Sequence, residues 1–257
     1  MRVGVFDSGF GGLSVLNAAL KRFSGVEFVY YADTKNVPYG TKSVDEITAL
    51  SINACKYLIN SGCEIIIVAC NTATSACINV LRNMFNVPIV GMEPAIKIAL
   101  NKFDKKTILI ATPATINGEK LKKLISKLNA NDNIWLLALP KLVSMAENLD
   151  FSSSKEYLKG EFSEICFDDF SSLVLGCTHF NYFKDSLREI LPSHISFIDG
   201  IDGTLNRLKS LCNDENLHYN KPNKIEYVCS GDLIQNKIEL NKISTLLARL
   251  DKMEYVK

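Results

Sequence analysis

Two short segments of this sequence carry a cysteine in matching surroundings, ACNTAT at residues 69–74 and LGCTHF at residues 175–180. In each, an apolar run of strand character ends at the cysteine, Cys70 or Cys177, and residues able to open a helix follow. Backbone N–H groups at a helix start, with the positive end of its dipole, stabilise a thiolate, and a strand end leaves the sulfur reachable. Taken alone, either cysteine reads more readily as a small apolar core residue. A pair of them on opposite sides of one carbon is what inversion at a stereocentre needs, because one thiol accepts the proton while the other delivers a proton to the opposite face. His179, two residues beyond Cys177, places an imidazole where it could hold or exchange that proton. The other histidines, His194 and His218, fall in expected loops. Asp7-Ser8-Gly9 closes another apolar run and reads equally as a tight turn with an Asx bond or as a carboxylate at a strand end. The glycines that follow, in GFGG at 9–12, lack the GK[ST] of a phosphate-binding P-loop, so they suit close approach of a ligand to backbone better than nucleotide hydrolysis.

Matched cysteines would face each other if they stand at equivalent points of two repeats. Short apolar runs at Val3–Phe6, Phe28–Tyr31, Ile65–Ala69, Pro88–Val90, Thr107–Ile110, Ile134–Leu139, Leu173–Leu175 and Ile195–Ile198 alternate with helical patterns. That alternation predicts parallel sheets with crossover helices. Ser43 with Glu46 and Ser153 with Glu156 read as capping boxes, Gly62 as a helix stop, and Val44, Ile47, Ser51, Ala54 and Leu58 as one buriable stripe. The runs near residues 3, 28 and 65 are echoed near 107, 134 and 172, an offset of about 106 each time. The expected fold is α/β, two pseudo-symmetric doubly wound domains with mainly parallel sheets and an active-site cleft between them. The first is expected over residues 1–94 plus 204–257, completed by a strand at Ile225–Cys229 and a helix after Asp232, and the second over 95–203. Ligands of open α/β sheets sit beyond the carboxyl ends of the strands, so both cysteines would line that cleft.

The 257 residues are 47% hydrophobic, enough for a sizeable core, and carry 29 basic against 28 acidic side chains scattered along the chain. No basic stripe suggests nucleic acid. Asp7 interrupts the N-terminal apolar run before any signal pattern develops, and no run is long enough to span a membrane, so a cytoplasmic location is expected. Eight cysteines without a CxxC pair fit a reducing compartment, and the lone CxH at 177–179 supplies half a zinc site at best, so no metal is expected.

DSGFGGLSV at 7–15, VPYGTK at 37–42, ACNTAT, ATPAT at 111–115 and LGCTHF together resemble the glutamate racemase family, in order and over nearly the whole chain. The resemblance implies interconversion of L- and D-glutamate without a cofactor, supplying D-glutamate for peptidoglycan. It implies that Cys70 takes the α-proton from D-glutamate and Cys177 from L-glutamate. Asp7 and His179 are implied as their assistants, with Asp33 and Glu147 as further ionisable neighbours. Substrate contacts are implied for Asp7, Ser8, Pro38, Tyr39, Gly40, Cys70, Asn71, Thr72, Thr115, Cys177, Thr178 and His179. Hydroxyls, amides and backbone donors at helix starts would bind the two carboxylates without a dedicated arginine, and each such Thr or Asn is also a natural helix cap. ATPAT departs from the family pattern by carrying Ala111 where glycine is usual, and Pro113 stiffens its turn. A racemase for aspartate and a purely binding module on the same scaffold are the rival readings. Glutamate is the expected partner, and a homodimer is compatible with the sequence.

Overall fold

The computed structural model describes residues 1–212 and 221–256, so His218 lies outside the described residues. Strands β1 (Arg2–Asp7), β2 (Glu27–Ala32), β3 (Ile65–Val68) and β4 (Ile89–Gly91) alternate with helices α1 (Leu13–Arg22), α2 (Val44–Asn60) and α3 (Asn71–Met84). After α4 (Ile96–Lys102) the plan repeats with β5 (Lys106–Ala111), β6 (Ile134–Ala138), β7 (Phe170–Leu175) and β8 (Ser196–Ile198). The intervening helices are α5 (Pro113–Asn117), α6 (Glu119–Lys127), α7 (Lys141–Glu147), α8 (Ser154–Glu161) and α9 (Lys184–Arg188). Helix α10 (Ile201–Leu211), strands β9 (Lys224–Cys229) and β10 (Asp232–Leu233) and helix α11 (Lys237–Met253) complete the chain. The first sheet has the order β10-β9-β2-β1-β3-β4 and the second β6-β5-β7-β8. Strands 2-1-3-4 of one therefore match 6-5-7-8 of the other, and every pairing is parallel except β9 with β10.

The side-chain period of two sorts each strand between two helical layers. On the first sheet Val3, Val5, Phe28, Tyr30, Ile65 and Ile67 pack with Leu13 and Leu16 of α1 and with Ile243, Leu246 and Leu250 of α11. Phe6, Val29, Tyr31, Ile66 and Val68 face the other way, onto Ile47, Ala54 and Leu58 of α2 and Ile78 and Leu81 of α3. The first of these cores runs on without a break into the second sheet, through Ile108, Ile110, Leu173, Leu175, Phe180 and Tyr182. Burial on both faces is why β3 reads IIIV rather than alternating. No helix among the described residues is long and apolar enough to cross a membrane.

Local signals fare unevenly. Ser43 and Glu46 form the reciprocal capping box at α2, and Gly62, at φ +81°, ends that helix. Val44 is 59% exposed, so the buried stripe begins at Ile47 instead. The second capping box is not formed: Ser153 makes no side-chain cap bond at α8, and Asp150 accepts the Ser153 N–H at 3.2 Å in its place. The helix expected after Asp232 is α11, capped by Asn236, and Asp232 itself belongs to β10, after a turn with Ser230 at φ 47° and Gly231 at φ 95°. Positive φ at two successive turn residues matches the twist of a tight hairpin. Replacing Ser43 by Ala should lower the stability of the protein by about 1 kcal/mol, measured by urea denaturation, without altering the strand-end chemistry described below.

Candidate active site

Parallel strands deliver their last residues to one edge, and all the sequence-predicted residues except Glu147 lie in the segments just beyond those ends. Asp7 ends β1, and Ser8 to Gly12 form the glycine loop into α1. Asp33 follows β2, and Cys70 follows β3 by one residue as the N-cap of α3. Cys177 stands equivalently beyond β7, 107 residues later in the chain.

The two thiols match in position but differ in support. The Cys70 sulfur accepts the Ala73 N–H at 3.4 Å and contacts Ser8 Oγ at 3.5 Å, which is the helix-start environment expected to favour thiolate. Burial outweighs it. With the residue 4% exposed and Asp7 adding an unfavourable charge, the Cys70 thiol is pushed up to about 12, so it rests protonated. Cys177, 6% exposed, is followed by a 3-10 turn over Thr178–Phe183 rather than an α-helix, and its neighbour is His179, with Sγ 3.8 Å from Nδ1.

His179 in turn meets Glu147, at the end of α7, with Nε2 to Oε1 at 2.7 Å. Burial alone would lower the imidazole, but its contacts with Cys177 and Glu147 hold it well above the usual histidine range. For Glu147 burial acts upward, yet the bond to His179 and the N–H of Phe10 bring it below the usual glutamate range. The imidazolium–carboxylate form of the pair is therefore favoured. Glu147 also fastens the glycine loop, accepting the Phe10 N–H at Oε1 at 2.7 Å, while the Gly11 N–H lies 3.2 Å from His179 Nε2, which can accept it only in the neutral ring. Tyr30 and Tyr182 hydroxyls donate to the carbonyls of Gly9 and Phe10, each at 2.7 Å. Asp7 accepts from Gly9 N–H at 3.1 Å and from the Thr178 hydroxyl at 3.2 Å, a contact that joins the two sheets' loops. Full burial raises Asp7 to about 6, although the His179 cation opposes the shift.

The remaining polar residues form a second bridge. Thr72 Oγ1 lies 2.9 Å from Thr112 Oγ1 and 3.3 Å from Thr115 Oγ1. Thr112 caps α5 at the Thr115 N–H, with Pro113 as the first helical residue, so the proline that stiffens this turn also starts the helix. Gly40, in the 3-10 turn Tyr39–Thr41 behind Pro38, packs so tightly here that a Cβ would sit 2.7 Å from Thr112 Cβ. Asn71 is buried in the first turn of α3. Asp33 accepts from the Tyr39 hydroxyl at 2.7 Å, the Asn36 amide at 3.0 Å and the Ser230 hydroxyl at 2.8 Å. Its carboxylate thus anchors the loop that presents Tyr39. Sequence reading missed Tyr30, Tyr182 and Lys242, the last with Nζ 3.7 Å from Glu147 Oε2. Nothing local marks them, since Tyr30 lies inside a strand and Lys242 on a helix from the far end of the chain.

Asp7 binds its proton more tightly folded than unfolded, so between its unfolded value near 3.8 and about 6 the native state holds more protons and loses stability as pH rises. Asp7→Asn abolishes this term. The stability of the variant minus that of the native protein should therefore grow by up to about 3 kcal/mol between pH 4 and pH 7, read from urea denaturation at the two pH values; a difference independent of pH would refute the assignment.

The Asp/Glu/Hydantoin racemase family matches residues 13–208. Glutamate racemases of Campylobacter concisus (strain 13826) and Campylobacter curvus (strain 525.92) are 54% and 52% identical to this chain over the full length of both partners. Among solved structures, glutamate racemase from Francisella tularensis in complex with D-glutamate has a TM-score of 0.81 at 26% identity, covering 96% of this chain and 93% of that one. By its match to the family model and its full-length similarity to curated relatives, this chain belongs to the glutamate racemases of the Asp/Glu/Hydantoin racemase family.

Proposed function

We propose that this protein interconverts L- and D-glutamate by a two-base transfer of the α-proton between Cys70 and Cys177, with no cofactor. The observation that carries the reading is the equivalent placement of the two thiols, one beyond β3 and one beyond β7 of sheets with the same strand order. Two bases fixed on the two halves meet opposite faces of a carbon held between them. Cys70 serves as the base for D-glutamate and Cys177 for L-glutamate. In each direction the other thiol delivers its proton, so the enzyme ends a turnover with its protonation pattern reversed. Asp7 and Thr178 stand where they can receive the substrate ammonium, whose positive charge offsets the burial that keeps Cys70 protonated. Ser8, Asn71, Thr72, Thr115 and the backbone at Tyr39 and Gly40 supply donors for the two carboxylates. Near Cys177 the positive charge comes from the protein, as the His179 imidazolium. The halves that close on substrate are taken as residues 1–94 with 204–257 and residues 95–203. D-Glutamate formed in the cytoplasm would enter peptidoglycan.

Circular dichroism should decay when either glutamate enantiomer is added to the protein alone, and aspartate should be turned over far more slowly. Cys70→Ala and Cys177→Ala should each lose racemisation in both directions by at least three orders of magnitude, while Cys63→Ala retains it. In D₂O, L-glutamate formed early from D-glutamate should be almost fully deuterated at Cα, and the remaining D-glutamate should stay largely unlabelled. Substantial protium in the first product would instead indicate one base serving both faces.

A further inference from the structure

Glu147 faces the site through one oxygen and the C-terminal helix through the other. Its Oε1 takes the Phe10 N–H and meets His179, whereas Oε2 lies 3.7 Å from the Lys242 ammonium of α11. Lys242 does not swing freely in solvent. Its side chain is 27% exposed and its ammonium sits over the Phe10 ring, 4.6 Å from the centroid. One lysine therefore touches both members of the contact, Phe10 and Glu147, that fastens the glycine loop.

The shared proton of the Glu147–His179 pair has two places to rest. With the proton on His179, Nε2–H donates to a Glu147 carboxylate. With it on Glu147, the neutral Nε2 accepts, and the Gly11 N–H, 3.2 Å away, is already aimed at it. Only the first arrangement puts a cation beside Cys177. A positive charge next to Glu147 Oε2 favours the carboxylate, and being nearer to it than to the imidazole it biases the proton toward His179. We infer that Lys242 is a positioning residue of the racemase, holding Glu147 ionised so that the shared proton stays on His179 and Cys177 can act as a base. This rests on the two-thiol reading above and adds the element that sets up one of its two halves.

Other charged and titratable groups face the pair. Asp7 on β1 disfavours ionisation of Glu147, as do Cys229 on β9, Tyr30 and Tyr182 if they ionise, and Glu239, one turn before Lys242, acts on Cys229 and opposes the lysine. Among the described residues, the cations that act most strongly on Glu147 are His179 itself and Lys242. Removing Lys242 should consequently shift the shared proton toward Glu147; because that redistribution neither takes up nor releases a proton, it should lower kcat/KM without moving its pH limbs.

The test compares the full-length native protein with Lys242→Met, Lys242→Arg and Lys237→Met, the last removing a charge from the exposed start of the same helix. For Lys242→Met, kcat/KM with L-glutamate should fall about three- to tenfold, by the same factor at pH 6 and at pH 8. Lys242→Arg should restore the native profile, and Lys237→Met should leave it unmoved. A second readout needs no turnover: the ¹⁵N resonances of the His179 imidazole, assigned among three histidines by His179→Asn, should show both nitrogens protonated near pH 7 in the native protein and a shift toward the neutral ring in Lys242→Met. Superimposable profiles with unchanged His179 resonances would overturn the inference, as would a loss of activity in Lys242→Met with both His179 nitrogens still protonated. Native protein that fails to racemise glutamate would instead sink the proposed function, leaving the imidazole spectra to judge Lys242 by themselves.

Discussion

A buried imidazole held against a buried carboxylate is the constraint around which this site is arranged. An ion pair taken out of water persists only when its remaining hydrogen-bonding capacity is satisfied, and here the glycine loop supplies the Phe10 N–H to Glu147 Oε1 while His179 Nε2–H donates to the same carboxylate. Backbone must approach both members of the contact closely. A Cβ at Gly9 would come within 2.1 Å of Glu147 Oε1, one at Gly11 within 2.3 Å of His179 Nδ1, and one at Gly12 within 2.6 Å of Asp7 Cβ. The run GFGG thus follows from packing a loop of the first sheet onto ionised side chains of the second. The two tyrosine hydroxyls that close the loop's carbonyls complete the satisfaction of its polar groups.

Duplication explains where the thiols stand but not how each is tuned. Repeated strand order brings Cys70 and Cys177 to equivalent strand ends, yet α3 starts at the first thiol and a 3-10 turn follows the second. One half keeps a neutral thiol among a helix start, Ser8 and Asp7. The other keeps a thiol beside a cation. Such a difference suits a reaction whose substrate carries one ammonium, because a single mobile charge need compensate only one side while the protein supplies the other.

Strands and thiols were legible in the sequence because they are local: strand runs report burial on both faces, and the two cysteine segments carry their flanks with them. Val44 escaped because helical periodicity assigns it to a stripe that the sheet below does not reach. The Ser153 box failed because Asp150, a competitor three residues earlier, satisfies the same backbone N–H. The short strand β10 leaves almost no periodic signal in two residues. Helix-start stabilisation of Cys70 was correctly located and wrongly weighed, since its depth of burial and the Asp7 carboxyl, 63 residues earlier in the chain, reverse the sign. Lys242 was invisible for a related reason: nothing near it in the chain announces that Glu147, 95 residues earlier, lies 3.7 Å away.

The two sides of the interface between the sheets differ in kind, and that difference bears on how a buried site can admit substrate. On the side of α1 and α11 the halves share one apolar core, in which Leu13, Leu16, Ile243 and Leu246 are continuous with Phe180, Tyr182 and Phe183. Parting them would expose several large side chains, each costing about 1.5–3 kcal/mol. On the opposite side the halves meet through the hydroxyls of Thr72, Thr112 and Thr115 and the turn at Gly40. A hydroxyl contact exchanged for water changes stability by only about 0.5–1.5 kcal/mol. Any separation of the halves is therefore least costly along the threonine side, with the shared apolar core as its pivot. The donors expected to bind the substrate carboxylates lie along that side, so the groups uncovered by separation are those able to pair with a polar ligand before the interface closes again.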